Sequence, residues 1–280
     1  MKKSVFILGG DLRQETVKNL LEKENFDVTA LGLSEGKIPL EKLKKANILV
    51  FPIPTSSDGV NLNAPISKTK TALFDIIKKI DKNCLVLGAK MPDDAEKMLK
   101  DRGIRYIDYF NREELIIKNA IPTAEGVIEI ALSEMPITIF GSRVLVIGYG
   151  RVGKVIAEKF RLLGSNVTVS ARKCEDFAWI EEKGLKSVHT KDLAKVVSDF
   201  DLIINTVPAR VLDGDALKNV RGDALILDVA SKPGGVDFET AKRLEKNVIW
   251  ALSLPGKTAP ITSGKIIKET IMNILSETEV

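Results

Sequence analysis

The sequence predicts an α/β protein of two doubly wound parallel-sheet domains with a cleft between them. Strand-like apolar runs alternate with helical spacing along both halves of the 280 residues. The alternation restarts after a connector near residues 121–133. A glycine pattern, Gly148 to Gly153, stands where the opening strand of the second series meets its helix.

In the first series, residues 4–8 read as a buried strand, Gly9-Gly10-Asp11 as a turn and residues 12–23 as a helix. Strands are expected at 26–31, 48–51, 85–87 and 104–107, with helices at 71–80 and 93–100. Residues 51–70 form a loop rich in Pro, Ser, Thr, Asn and Gly, longer than compact domains usually carry without a functional reason, and it is expected to border a ligand cleft. A connector helix to about Ser133 starts at Ile121-Pro122-Thr123, with Thr123 or its neighbour as cap and Pro122 marking the break before it. The second series has strands at 144–147, 166–169, 201–205, 225–229 and 248–252, and helices at 152–163, 176–183 and 238–244. Ile266, Ile267, Ile271, Ile274 and Leu275 then recur at helical spacing. The expected division is a substrate domain over 1–121, with residues 263–280 packing back on it, and a cofactor domain over 122–262 that includes the connector.

A composition of 44% hydrophobic and 29% charged residues is that of an ordinary globular protein. Its 42 basic and 38 acidic residues are scattered without a dense basic tract, which argues against a nucleic-acid partner. No apolar run reaches membrane-spanning length, and residues 5–8 are too short for a signal peptide core. Cys84 and Cys174 are the only cysteines, so neither a disulfide framework nor a cysteine-rich metal site is expected, and the default compartment is the cytoplasm. A homo-oligomer is compatible with this composition, which does not set the oligomeric state.

The motif Gly148-Tyr149-Gly150-Arg151-Val152-Gly153 follows an apolar strand and opens a helix, the context of a Rossmann-like dinucleotide site. Gly148 permits the tight turn, Gly150 lets backbone approach a pyrophosphate, and Gly153 lets helix and strand pack closely. The helix amino terminus offers free N–H groups and a positive dipole end to the phosphates. About 20 residues on, where NAD-binding domains usually place an acid, stands Ser170-Ala171-Arg172-Lys173. Ser170 as donor and Arg172 as a guanidinium fork, beside Lys173, favour a 2′-phosphate and hence NADP. Asn205, Thr206, Val207 and Pro208 at a later strand end, with Asp228 and Ala230 at the next, are expected on the nicotinamide side.

The run from Asp201 to Pro208, followed by Ala224 to Asp237, resembles the cofactor domain of D-2-hydroxyacid dehydrogenases. That likeness places Lys232 where those enzymes hold the substrate carboxylate with an arginine. Their catalytic histidine would fall within residues 254–260, where this sequence has none, a departure from alcohol-to-ketone chemistry. Gly9-Gly10-Asp11-Leu12-Arg13-Gln14, the stretch from Ile121 to Gly126, Gly141-Ser142, the stretch from Ala230 to Gly235, and Leu254-Pro255-Gly256 together resemble the dipicolinate synthase A-subunit family of spore-forming bacteria. The resemblance implies an NADP-dependent oxidation of dihydrodipicolinate, with the flavoprotein-like B-subunit of dipicolinate synthase as partner. Removing hydride and proton from a dihydropyridine creates an aromatic ring, so positioning a dianionic substrate matters more than a strong acid. Arg13, Lys232 and Lys257 are candidate carboxylate clamps, and Asp11, Glu125 and Asp58 candidate proton acceptors. The lone His189 is expected in a polar surface segment between helices. Two other readings stay open: an NADP-dependent dehydrogenase of a small hydroxy or amino acid, and a nucleotide-sensing regulatory protein without turnover.

Overall fold

The computed structural model describes residues 2–278, which divide into two compact units, Met1–Asn119 with Ala259–Val280, and Ala120–Thr258. In chain order the first unit contains β1 (Ser4–Leu8), α1 (Leu12–Lys23), β2 (Asp27–Leu31), β3 (Ile48–Val50), α2 (Leu73–Lys79), β4 (Leu85–Gly88), α3 (Asp93–Asp101) and β5 (Tyr106–Asp108). Its five strands pair in parallel in the order β2-β1-β3-β4-β5. Each strand alternates its side chains between two apolar layers. Phe6, Leu8, Leu49 and Val86 face α2 and α3 through Ile76, Ile77, Ala95 and Leu99. Val5, Ile7, Val50 and Leu87 face the other way, onto Val17 and Leu21 of α1. Burial on both faces explains why these strands read as continuous apolar runs.

Helix α4 (Glu113–Glu134) follows, and here the structure departs from expectation, since Pro122 lies inside the helix rather than before it. Before the proline Leu115 is fully buried in the first unit's apolar layer, and after it Ala124, Val127 and Ala131 are fully buried at helical spacing in the second unit's. Burial on both sides of the proline outweighs the one backbone hydrogen bond it forfeits.

The second unit continues with β6 (Arg143–Ile147), α5 (Arg151–Leu162), β7 (Asn166–Ala171), α6 (Cys174–Glu182), β8 (Lys186–His189), α7 (Leu193–Val196), β9 (Leu202–Asn205), α8 (Gly214–Asn219), β10 (Leu225–Asp228), α9 (Phe238–Arg243), β11 (Asn247–Trp250) and α10 (Leu254–Thr258). Six parallel strands run in the order β11-β10-β9-β6-β7-β8, the doubly wound order whose direction of winding reverses between β6 and β9. Ile147 pairs with Asn205, Asn205 with Asp228 and Asp228 with Trp250, so four strand ends finish level at one carboxyl edge, while β7 runs one residue past Ser170, the partner of Ile147. His189 ends edge strand β8 rather than lying between helices; its ring stacks on Phe177 at 6.0 Å and Nδ1 accepts from the Lys191 N–H.

Helix α11 (Pro260–Glu277) returns to the first unit and buries Ile266, Ile267, Ile271, Ile274 and Leu275 against the α1 face of that sheet. Among the described residues no helix is long and apolar enough to cross a membrane.

Candidate functional site

The carboxyl end of β6 is shaped by three glycines with different constraints. Gly148 has φ +97°, a left-handed conformation that strains any residue with a Cβ, and a Cβ there would meet Thr206 Oγ1 at 2.6 Å. Its N–H donates to the Ser170 carbonyl at 2.9 Å. At Gly153 a Cβ would stand 2.1 Å from the Gly148 carbonyl oxygen, so α5 lies directly on the turn. Gly150 is the opposite case, because nothing lies within 4 Å of where its Cβ would be. It is also the N-cap of α5 and makes no side-chain cap bond. The helix amino terminus, given no side-chain cap by Gly150, therefore lies beside open space, a shape and polarity that fit a pyrophosphate. Arg151 is exposed on this first turn, and Val152 is half-buried against the core. Thr206 braces the turn from β9, donating both its N–H (2.9 Å) and its hydroxyl (2.8 Å) to the Ile147 carbonyl.

One step beyond β7, Arg172 and Lys173 are exposed, and Lys173 pairs with Glu175 at 3.0 Å. Ser170, expected as a phosphate donor, is fully buried with its hydroxyl 2.9 Å from that of Thr190. The strand is two residues longer than its apolar run suggests, which turns Ser170 inward and leaves the edge to Arg172. Asn205 and Asp228, expected on the cofactor side, are also fully buried. Asn205 Nδ2 donates to Asp228 Oδ1 at 2.8 Å and to the Val207 carbonyl at 3.0 Å. Asp228 accepts from the Ala230 N–H at Oδ1 (3.0 Å) and from the Gly235 N–H at Oδ2 (2.7 Å). These two side chains shape the loop from within, since a buried carboxylate must have its oxygens satisfied. Gly235 is part of the same device: a Cβ there would lie 2.2 Å from Asn205 Nδ2. The paired glycines after Asp228 are the sequence signal for it. Val207 is half-buried and Pro208 exposed at the β9 end, Ala230 is buried, and Lys232 is exposed on the loop these bonds support.

The remaining candidates are spread over both units. Lys257 is exposed on short α10. Glu125 on α4 accepts from Lys159 Nζ at 3.0 Å, so its carboxylate is already paired. In the first unit, Asp11 caps α1 and receives the Arg13 guanidinium, with Nη2 to Oδ2 at 2.8 Å and Nε to Oδ1 at 2.9 Å. Burial works against the Asp11 carboxylate, yet the hydrogen bonds and charge of Arg13 outweigh it and hold its pKa below the usual range. Arg13 Nη2 also donates to the Ile53 carbonyl at 2.7 Å, and the side chain is only 12% exposed, so it ties α1 to the long loop rather than reaching into water. Asp58 is held well below the usual carboxylate range by hydrogen bonds from Asn61, Val60 and Ser56. Both Asp11 and Asp58 are thereby weak bases. The loop itself is pinned to the sheet edge where Gly10 N–H donates to the Asn63 carbonyl at 2.7 Å, and it encloses a shallow cavity of about 230 Å³ bordered by Ser57, Asn61, Lys68 and Lys70. Among the described residues no three metal-ligating side chains converge.

Residues 4–110 match the family model of the dipicolinate synthase A-subunit N-terminal domain, and residues 117–234 that of D-isomer specific 2-hydroxyacid dehydrogenase, NAD binding domain. The sequence is 31% identical over 284 residues to the dipicolinate synthase A-subunit of Bacillus subtilis (strain 168), covering 98% of this chain and 96% of that relative. Among solved structures, it is similar to the A-subunit of dipicolinate synthase from Bacillus subtilis, with a TM-score of 0.91 and 30% identity over 100% of this chain and 97% of that one. The corresponding values for the A-subunit from Bacillus halodurans are a TM-score of 0.90 and 29% identity over 98% and 97%.

Proposed function

Because the chain belongs to the dipicolinate synthase A-subunit family, we propose that it oxidises dihydrodipicolinate to dipicolinate in the cytoplasm, with NADP as hydride acceptor and a separate B-subunit as partner. The observation that carries the reading is the likeness to the Bacillus subtilis A-subunit along nearly the whole chain, both units included. When bound, the cofactor supplies the nicotinamide ring that accepts the hydride.

The chain's own residues bind and orient. In this reading the amino terminus of α5, the bare Gly150 backbone and the Gly148 turn hold the pyrophosphate. Arg172 and Lys173 neutralise a 2′-phosphate, a bidentate task suited to a guanidinium. Thr206, Val207 and Pro208 border the nicotinamide end, and the buried Asn205 and Asp228 support that border from beneath. Lys232 holds a substrate carboxylate as a point charge. Asp11, Glu125 and Asp58 are the candidate acceptors of the departing proton. A weak base suffices, since the reaction ends in an aromatic ring. The lack of a histidine within residues 254–260 argues against the hydroxy-acid alternative.

Mixing the purified chain with dihydrodipicolinate and NADP tests the reading by absorbance. Dipicolinate and NADPH are expected to appear in equal amounts. Cofactor that binds but is not reduced with this substrate, with the B-subunit absent or added, would overturn it.

A further inference from the structure

Lys90 lies two residues past the end of β4, at the carboxyl edge of the first sheet. Its backbone is left-handed, with φ 52°, a conformation that turns usually give to glycine or asparagine. The position is fixed from both sides. Thr55 binds Ala89 through its own N–H (2.8 Å) and hydroxyl (3.0 Å), both to the Ala89 carbonyl. Asp108, at the end of β5, accepts from the Lys90 N–H at 3.3 Å and from the Phe110 N–H at 2.7 Å. That carboxylate is therefore occupied by backbone, and the Lys90 ammonium rests instead over the Phe110 ring, 4.4 Å from its centroid.

Two other cations of the first unit are engaged differently. Arg13 is closed onto Asp11 and Ile53, and Lys68 is paired with Glu35. Among the described residues no carboxylate is in ion-pair contact with Lys90. Burial pushes its pKa below the ordinary lysine range, a shift that the Asp108 charge only partly offsets.

We propose that Lys90 holds a carboxylate of the substrate at the carboxyl edge of the first sheet, a role that rests on the dicarboxylate oxidation proposed above. Ligands of open α/β sheets bind outside the carboxyl ends of the strands, and Lys90 stands at that edge after β4, one strand from the switch point between β1 and β3. A strained backbone retained at a lysine is explained when the side chain, and not the turn, is what the position serves. An ammonium parked on a ring face gives up little when it moves to an incoming carboxylate, whereas one already in an ion pair would have to exchange partners.

The test uses the full chain with NADP present and dipicolinate, the product, as the titrated probe. Lys90→Met and Lys90→Gly are expected to weaken dipicolinate binding about ten- to a hundredfold, the loss of one charge-assisted bond. NADP affinity should be unchanged in both. Lys90→Arg should keep most of the dipicolinate affinity. Lys90→Gly separates function from structure, because glycine adopts φ 52° without strain and should leave the thermal midpoint as high or higher. Wild-type dipicolinate affinity in both K90M and K90G would overturn the proposal alone. A wild-type chain that binds NADP but no dipicolinate would overturn the dicarboxylate reading and this assignment with it.

Discussion

Arg172 is exposed immediately beyond β7 and among the described residues forms no ion pair, whereas its neighbour Lys173 is tied to Glu175. Replacing Arg172 by Asp should therefore act on the ligand and not on the fold. Arg172→Asp is expected to weaken NADP by about 1.5–3 kcal/mol or more, with much less effect on NAD, which lacks the 2′-phosphate. Calorimetric titration with both nucleotides reads this directly, and equal losses would remove the phosphate assignment. At this scale, the residues legible in the sequence are those whose constraint is local. Gly148, Gly150 and Gly153 announce themselves by spacing because each serves a turn only a few residues long. Ser170, Asn205 and Asp228 read as ligand-facing but turn inward, because burial depends on where the strand ends and on partners such as Thr190, 20 residues away. Lys90 gives no signal at all, since a left-handed φ is invisible in a run of loop residues.

Elements whose apolar spacing is confined to one stretch are equally legible. Residues 12–23 form the expected helix, and β1 falls where its apolar run does. The start of α4 is not, because a proline signal competes there with burial on both sides that only the packed structure discloses. Helix α11 adds a feature that spacing alone does not disclose. Gly264 faces α1 so closely that a Cβ would come 2.5 Å from Thr16 Cβ and 2.7 Å from the Arg13 carbonyl oxygen. In an exposed helix interior, replacing glycine by alanine gains roughly 1 kcal/mol. Here the sign reverses: Gly264→Ala is expected to destabilise the first unit by about 1–3 kcal/mol, as overpacking forces the helices apart. Denaturant unfolding monitored in the first unit checks the sign, and any gain in stability would contradict the packing account.

Across the whole molecule, charge is arranged at the edge of the second sheet away from the glycine turn. Asp201 accepts from the Arg143 backbone N–H (2.8 Å) and guanidinium (2.9 Å) and from Arg221 (2.9 Å). The hydrogen bond from the Arg143 side chain, first among these causes, draws its pKa from 3.8 to about 2. A carboxyl group whose pKa falls on folding stabilises the folded state fully above its unfolded pKa of 3.8, and that contribution fades as pH drops towards 2. Asp201→Asn should therefore lower stability at neutral pH and flatten the loss of stability between about pH 4 and 2. An acid titration followed by far-UV circular dichroism checks both parts, and an unchanged slope in the variant would count against the linkage. The two-sheet architecture is readable from alternation because parallel strands buried on both faces must be apolar throughout. The strand order is not, since it depends on pairings between segments far apart in the chain.

One covering of the first sheet is shared between α1 and α11, a segment some 240 residues further downstream. During synthesis, Val5, Ile7, Val50 and Leu87 leave the ribosome with only Val17 and Leu21 of α1 to shield them, long before Ile267 and Ile271 exist. The intervening unit has every one of its strands made before α11, so it can mature while its neighbour waits with a half-covered greasy flank. A nascent chain halted before residue 260 would be the form most in need of a chaperone.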